Sequence, residues 1–307
     1  GPGQLLVRNH FAGVNGVYDQ MMCLDRVEHT PVRLPADAGV EAVGVVEAAG
    51  AGVAASWVGQ AVASVRVGHG YREYQLAAEA DLVPVPAASP EILALIPSGV
   101  SALLALERVG EMGTGETVCI TAAAGGLGNI ATQLAIRAGN HVVGVVGDDA
   151  KAAWLESVGA ARVVQHRRED LGAVLDGAYA ERLDLALDSV GGATFDALLR
   201  NLAPLGRLVV CGYTSDRLPT ERVRDERVYT RLYWKAASVR GFMNWRFAAH
   251  AAEARGRLLE LLATGELRPL IDPQAFVGLE AAADAVEHLL AGRNLGKVVL
   301  DLRGGTA

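Results

Sequence analysis

The stretch Thr121-Ala122-Ala123-Ala124-Gly125-Gly126-Leu127-Gly128 joins an apolar run, Val118 to Thr121, directly to a helical pattern. Backbone this poor in side chains, at a strand-to-helix junction, suits a dinucleotide diphosphate. Such an anion needs a tight turn, bare backbone where its oxygens approach, and close packing of helix on strand. Ala124, Gly126 and either Gly125 or Gly128 meet these demands, because a larger side chain would screen the phosphates from the helix N-terminal N–H groups. Ala124, Gly125, Gly126, Leu127 and Gly128 are therefore the candidate phosphate loop. A tight turn with no ligand is the plainer alternative.

A second position discriminates between dinucleotides. A site that selects NAD places a carboxylate at the end of the next strand, about 20 residues on, to accept from the ribose 2′-OH. Here Gly144-Val145-Val146-Gly147 ends without an acid. Lys151 follows a turn later, and His166 and Arg167 follow the third strand. Each can meet a 2′-phosphate, a charge-assisted contact worth about 1.5–3 kcal/mol. NADPH is the expected cofactor, and NADH the less favoured one. Asp148 and Asp149 also suit a helix start, where Asp148 would repel a phosphate and Lys151 would simply be solvated.

These residues need elements to hold them. From about residue 3 to 95 the chain reads as short strands and turns, with Gly39, Gly44, Gly50, Gly52, Gly59, Gly68 and Gly70 recurring among Val and Ala. That texture predicts a small, partly open β-barrel. It changes near Pro97. Strands at Val118–Thr121, His141–Val146, Arg162–Val164, Asp184–Asp188 and Arg207–Cys211 then alternate with helices. One helix, over 127–138, has Leu127, Ile130, Ala131, Leu134, Ala135 and Ala138 on one face. The next carries Ala150, Ala153, Trp154 and Val158, with Gly159 ending it. This alternation predicts an α/β fold with a doubly wound parallel sheet, covered on both faces. Past about 265 the first texture returns, with a helix over 279–290 and a strand over 297–302. The expected domains are 1–97 with 266–307, discontinuous, and 98–265.

The chain has 307 residues and a formal charge of −7, and about half of its residues are hydrophobic. The acidic balance argues against a nucleic-acid partner. The apolar stretches are broken before the roughly 20 residues of a membrane span, so no membrane partner is expected. Three cysteines, Cys23, Cys119 and Cys211, without CxxC spacing, support neither a disulfide framework nor a cysteine-built metal site. A reducing cytoplasm is the expected compartment. The chain opens Gly1-Pro2-Gly3 without Met, as an excised domain or an expression scar would.

Several stretches, spread in order over the whole chain, carry a family likeness: Gly13-Val14-Asn15, Gly39-Val40-Glu41-Ala42-Val43-Gly44, Ala122 to Gly128, Asp188 to Gly192, Ser238 to Phe242, and Gly292 to Val299. The sequence resembles the zinc-independent quinone oxidoreductase, prostaglandin-reductase and enoyl-reductase branch of the medium-chain dehydrogenase/reductases. This resemblance implies a Rossmann domain plus a GroES-like, partly open β-barrel domain. Zinc alcohol dehydrogenases of the superfamily have His where this chain has Val40, and His10, His29, His69, His141, His166, His250 and His288 show no ligand spacing. No metal is expected.

The likeness also implies roles. Without zinc, an activated C=C is a more natural hydride acceptor than a plain ketone. Asn15 resembles an Asn beside nicotinamide and substrate, although a turn-forming Asn is an equal alternative. Tyr18 is a candidate proton donor, but relatives carry Asp here and place their Tyr near Val27, so a buried structural Tyr is the plainer reading. Ser101 stands for a Thr near the cofactor, or is a helix N-cap. Ser189 lies in the family's post-strand loop. Tyr213, Asn244 and Asn294 match further cofactor contacts, and Trp245 is either beside the site or an interface or core residue. The strand over 238–242 commonly pairs with its twin, which implies a homodimer. The expected partner is an α,β-unsaturated carbonyl, free or thioester-bound. Two other readings stay open: an enoyl-CoA or enoyl-carrier-protein reductase domain of a larger synthase, and an NADPH-binding structural or regulatory protein with little turnover.

Overall fold

Burial alternates along the first strand, so that Leu5, Val7, Asn9 and Phe11 all point inward. This is the computed structural model of the protein, and it describes residues 1–24, 33, 35–215 and 228–304. The expectations placed on Val27 and His29, and on the side chain of Cys23, lie outside the described residues. The chain divides into two units, 1–97 with 268–307 and 98–267.

The first unit carries β1 (Leu5–Gly13), β2 (Glu41–Ala49), β3 (Ala61–Val65), β4 (Tyr74–Ala77), β5 (Leu82–Pro84), β12 (Phe276–Val277) and β13 (Val299–Asp301) in one seven-stranded sheet. Its order is β12-β13-β1-β2-β3-β5, with β4 paired to β1. The arrangement is open, as the sequence predicts. Leu5, Val7, Val46, Val62, Ala77 and Leu82 form one core cluster, and Ala12, Val14, Phe276, Ala285, Val298 and Leu300 belong to another. Helices α1 (Gly16–Cys23) and α10 (Ala282–Leu290) complete the unit's main elements.

The helical conformation continues through Pro97. α2 (Pro90–Ala94) is followed by a π turn at Leu95–Gly99, then by α3 (Val100–Leu104) and a second π turn at Ala105–Val109. A proline lacks the N–H that an α-turn would use, and a widened turn accommodates it. The Ser89 hydroxyl accepts from the Ile92 N–H at 3.3 Å and starts the run. Residues Pro90–Val109 are long and apolar enough to cross a membrane, yet most of this stretch is buried in the protein. Pro97, Ser98 and Gly99 interrupt its apolar run and hide this core helix in the sequence.

The second unit's sheet has six parallel strands: β6 (Thr117–Ile120), β7 (His141–Val146), β8 (Arg162–Gln165), β9 (Leu183–Asp188), β10 (Leu202–Val210) and β11 (Ser238–Gly241). The order β11-β10-β9-β6-β7-β8 puts the first and fourth strands side by side. Winding therefore reverses between β6 and β9, the topological switch point at which doubly wound sheets open a crevice. The helices between strands are α4 (Gly128–Arg137), α5 (Asp149–Ser157), α6 (Leu171–Ala178), α7 (Gly192–Arg200) and α8 (Tyr229–Lys235), and α9 (Ala248–Ala263) follows β11. In α5 the buried residue is Leu155, while Ala150 and Ala153 are exposed. Leu155 packs over Gly144 of β7, where an added Cβ would meet its Cδ1 at 2.7 Å.

Candidate cofactor and active site

Because all six strands of the second sheet are parallel, the segments after them lie along one edge. In spatial order that edge carries Asn244 after β11, Tyr213 after β10, Ser189 after β9, the glycine loop after β6, Lys151 after β7, and His166 with Arg167 after β8. Of the residues that the sequence singles out in this unit, only Ser101 lies elsewhere. It is buried inside α3, where it caps nothing.

The loop between β6 and α4 is shaped by residues on both sides. Ala122 adopts φ +48° and turns the chain. An added Cβ at Gly128 would lie 2.1 Å from the Ala122 carbonyl oxygen, so only glycine allows the helix to start this close to the strand. The buried Asn129 side chain donates to the carbonyls of Gly125 and Gly126 at 2.7 and 3.0 Å. Those carbonyl dipoles are thereby taken up on the helix side, and Gly125, Gly126 and Leu127 stay half-exposed. At the start of α4 the Asn129 and Ala131 N–H groups donate to the Gly125 and Leu127 carbonyls at 3.0 Å, and the Gly125 N–H to the Ala122 carbonyl at 2.8 Å, so an anion would be met by the other amides of the turn. Donors, bare backbone and the positive end of a helix dipole together fit a diphosphate.

Asp188 organises the crevice beside the loop. It is fully buried, and its Oδ1 accepts from the Thr121 hydroxyl at 2.8 Å and the Val190 N–H at 2.9 Å. Its Oδ2 accepts from the Gly191 N–H at 3.1 Å. The Thr121 oxygen in turn accepts from the Ser189 N–H at 2.8 Å. Thr214 N–H donates to the Ser189 carbonyl, and Ser215 N–H to that of Val190. The Ser189 loop and the Tyr213 loop are thus brought together, with Tyr213 half-exposed. Asn244 and Trp245 are exposed in a 3-10 turn, and the Arg246 guanidinium lies 3.9 Å from the centroid of the Trp245 ring. Trp245 is no core residue. Cys119, buried in β6, and Cys211, just after β10, have thiols pushed up to about 12, by burial first and by the Asp188 charge second.

At the far end of the edge, Asp148 caps α5, accepting from the Lys151 N–H at 3.0 Å. The Lys151 ammonium lies 2.9 Å from the same carboxylate. Burial opposes the Asp148 charge, but the Lys151 bonds and the Arg167 charge outweigh it and hold the carboxyl below its ordinary range. An added Cβ at Gly147 would sit 3.2 Å from His166 Nε2 and 3.7 Å from Arg167 Nε. Bare backbone therefore faces two basic side chains, both exposed. The donor set fits a phosphate monoester, with Asp148 as an internal competitor for Lys151.

The first unit holds Asn15, Tyr18 and Asn294. Asn15 stands at the N-cap position of α1, but its side chain makes no cap. Its Nδ2 donates to Glu41 Oε1 at 2.8 Å, its Oδ1 accepts from Lys297 Nζ at 3.0 Å, and its N–H donates to Asp19 Oδ2 at 3.2 Å. Lys297 Nζ also reaches Glu41 Oε1 at 2.5 Å. Tyr71 donates to Asp19 Oδ2 at 2.6 Å. Burial raises the Asp19 carboxyl above its ordinary value, against the Tyr71 and Asn15 bonds and the Lys297 charge. Burial, then the Asp19 charge, raises the Tyr71 phenol. Tyr18 is half-buried. Asn294 is buried, and its Nδ2 donates to the Gly296 carbonyl at 2.9 Å, three residues before Lys297. Sequence reasoning missed Asn129, Thr121, Lys297 and Asp19 as parts of these arrangements. The one available signal was a charged residue interrupting an apolar run, as Lys297 does before Val298-Val299-Leu300. Among the described residues no group of three or more His, Cys, Asp or Glu is placed to hold a metal ion.

Comparison with known proteins agrees with this geometry. Residues 1–87 match the alcohol dehydrogenase GroES-like domain, and residues 126–262 match the domain described as zinc-binding dehydrogenase. Prostaglandin reductase-3 of Mus musculus is 40% identical over 313 residues, covering 98% of this chain and 82% of the mouse protein. A probable quinone oxidoreductase of Leishmania amazonensis is 33% identical over 98% of this chain and 89% of its own. The structure of Escherichia coli quinone oxidoreductase complexed with NADPH superposes with a TM-score of 0.83, at 27% identity, over 98% of this chain and 92% of that one. The chain belongs to the medium-chain dehydrogenase/reductase family, in its zinc-independent branch of quinone oxidoreductases and prostaglandin reductases.

Proposed function

We propose that this protein is an NADPH-dependent reductase of activated C=C bonds in enones, quinones or enoyl-thioesters. The carrying observation is the single strand edge on which the phosphate loop, the Lys151–His166–Arg167 group and the Ser189 and Tyr213 loops are aligned. The amides around Gly125, Gly126, Leu127 and Gly128, with Ala124, would hold the diphosphate. Lys151, His166 and Arg167 would hold the 2′-phosphate, and Ser189, Tyr213 and Asn244 on the same edge are assigned to the rest of the cofactor; Ser101 and Asn294, which do not belong to that edge, are added on the family likeness alone. When bound, NADPH supplies the hydride that this reaction class adds to the β-carbon of a conjugated carbonyl.

The protein's share is to hold the reacting carbons about 3–3.5 Å apart and to stabilise the charge that collects on the carbonyl oxygen. Asn15 is assigned to that oxygen. Tyr18 is assigned to the proton that the α-carbon needs. Val40 in place of a zinc ligand supports a mechanism that relies on hydrogen-bond donors. A reducing compartment suits these uses. A homodimer is supported by β11, an end strand of its sheet, with Val239, Tyr233 and Trp234 exposed on and before it.

The test is a titration with NADPH and NADH, followed by loss of NADPH absorbance with a free enone, a quinone and crotonyl-CoA. Tight NADPH binding and turnover of one acceptor class are expected. Binding without turnover across the panel would favour a structural or regulatory role, and no binding to folded protein would overturn the assignment.

A further inference from the structure

The Asn15 amide is fixed by groups far away in sequence. A carboxylate only accepts and an ammonium only donates, so the pair Glu41 and Lys297 allows one orientation of the amide: Nδ2 toward Glu41 at 2.8 Å and Oδ1 toward Lys297 at 3.0 Å. Glu41 and Lys297 are 1% and 3% exposed. Burying such a pair costs desolvation that its attraction need not repay, whereas it does impose a geometry. The ammonium also donates to the Val14 carbonyl at 3.3 Å, just before Asn15. Of the two Nδ2 hydrogens, one goes to Glu41, and among the described residues the other has a single long hydrogen bond, to the Gly13 carbonyl at 3.5 Å, which a better acceptor can displace.

We propose that Lys297 and Glu41 are positioning residues for the reaction: they lock the Asn15 amide so that its second N–H is presented to the substrate carbonyl oxygen. The proposal rests on the reductase reading above. An unlocked amide would turn and offer its oxygen to a site where negative charge develops, which opposes the reaction instead of assisting it. Lys297 reaches neither substrate nor cofactor in this scheme. It acts through Asn15.

The test combines a mutant cycle with a measurement that needs no turnover. Asn15→Ala, Lys297→Met and the combined variant are compared for kcat and for KM of NADPH. Each single change is expected to lower kcat by about 10- to 100-fold, with KM for NADPH within about twofold, since only an interaction made in the transition state is removed. The combined variant is expected to be no slower than the slower single one, because both changes remove one function. Multiplied losses, or a Lys297→Met enzyme with unchanged kcat, would overturn the proposal. Lys297→Met leaves the Glu41 carboxylate buried without its cation. If that variant does not fold, Glu41→Gln/Lys297→Met replaces it in the same cycle, and wild-type kcat in that variant would mark the pair as structural only.

Independently, in asparagine-labelled protein without cofactor, the Asn15 side-chain amide should exchange its hydrogens at least about tenfold faster in the Lys297→Met (or double) variant than in wild type. Equal exchange would also refute the lock. A locked amide in a protein that reduces none of the acceptors would instead defeat the reductase reading alone.

Discussion

At the scale of single residues, the two sub-sites for phosphate have different tolerances. Gly126→Asp would place a carboxylate where the diphosphate is assigned, and NADPH binding should be abolished while the melting midpoint barely moves; retained affinity by fluorescence titration would refute the loop's role. At the other end, Lys151 is already engaged by Asp148 at 2.9 Å. Lys151→Ala should weaken NADPH by about tenfold or more and NADH far less; equal losses would separate Lys151 from the 2′-phosphate. Asp148, which the sequence already marks as repelling a phosphate, is the gain-of-function partner. Asp148→Asn keeps an N-cap and removes the competing charge, so NADPH affinity should rise by a few-fold, a change of about 0.5–1 kcal/mol, with NADH unaffected.

At the scale of elements, Asp188 ties the end of β9 to the turn after β6 through Thr121 and to its own loop through the Val190 and Gly191 N–H groups. Asp188→Ala would strand those donors in a buried setting, and urea unfolding should report a loss of about 2–4 kcal/mol; a loss under about 0.5 kcal/mol would show that water replaces the carboxylate. This element-to-element tie also marks where the sequence stops being readable. The strands at 118–121, 141–146, 162–164 and 184–188 were legible because fully buried strands are unbroken apolar runs, and the phosphate loop because its glycines fall where a strand meets a helix. The face of α5 was misread, since Ala150 and Ala153 look as apolar as Leu155 but are exposed, while Leu155 is buried over β7. Asn129 was invisible because a polar residue on a buried helix face carries no period of its own. The partners Glu41 and Lys297 stand 256 residues apart, and no local spacing pairs them.

At the scale of the whole molecule, stability against pH carries opposite signs from different carboxylates. Asp148, and Asp301 beside Arg303, are held below the ordinary range, so their contributions are complete above it and fade as pH falls through the depressed values. Asp19 is held above it by burial. The folded state therefore binds that proton more tightly than the unfolded chain does, and stability is lost as pH rises from the ordinary aspartate value through the raised one. Tyr71, the Asn15 N–H, Lys297 and Glu41 are the groups that face it. Asp19→Asn should accordingly melt higher than wild type at neutral pH, with the difference closing on acidification; a gap independent of pH would place its origin elsewhere. Cys119 and Cys211, with thiols at about 12, have a bearing on the lifetime of the enzyme. Conjugated carbonyls are electrophiles that add to thiolates, not to thiols. A catalyst that collects such compounds at high local concentration is exposed to slow self-poisoning, and sulfur kept protonated, in β6 and just after β10, is protected from it.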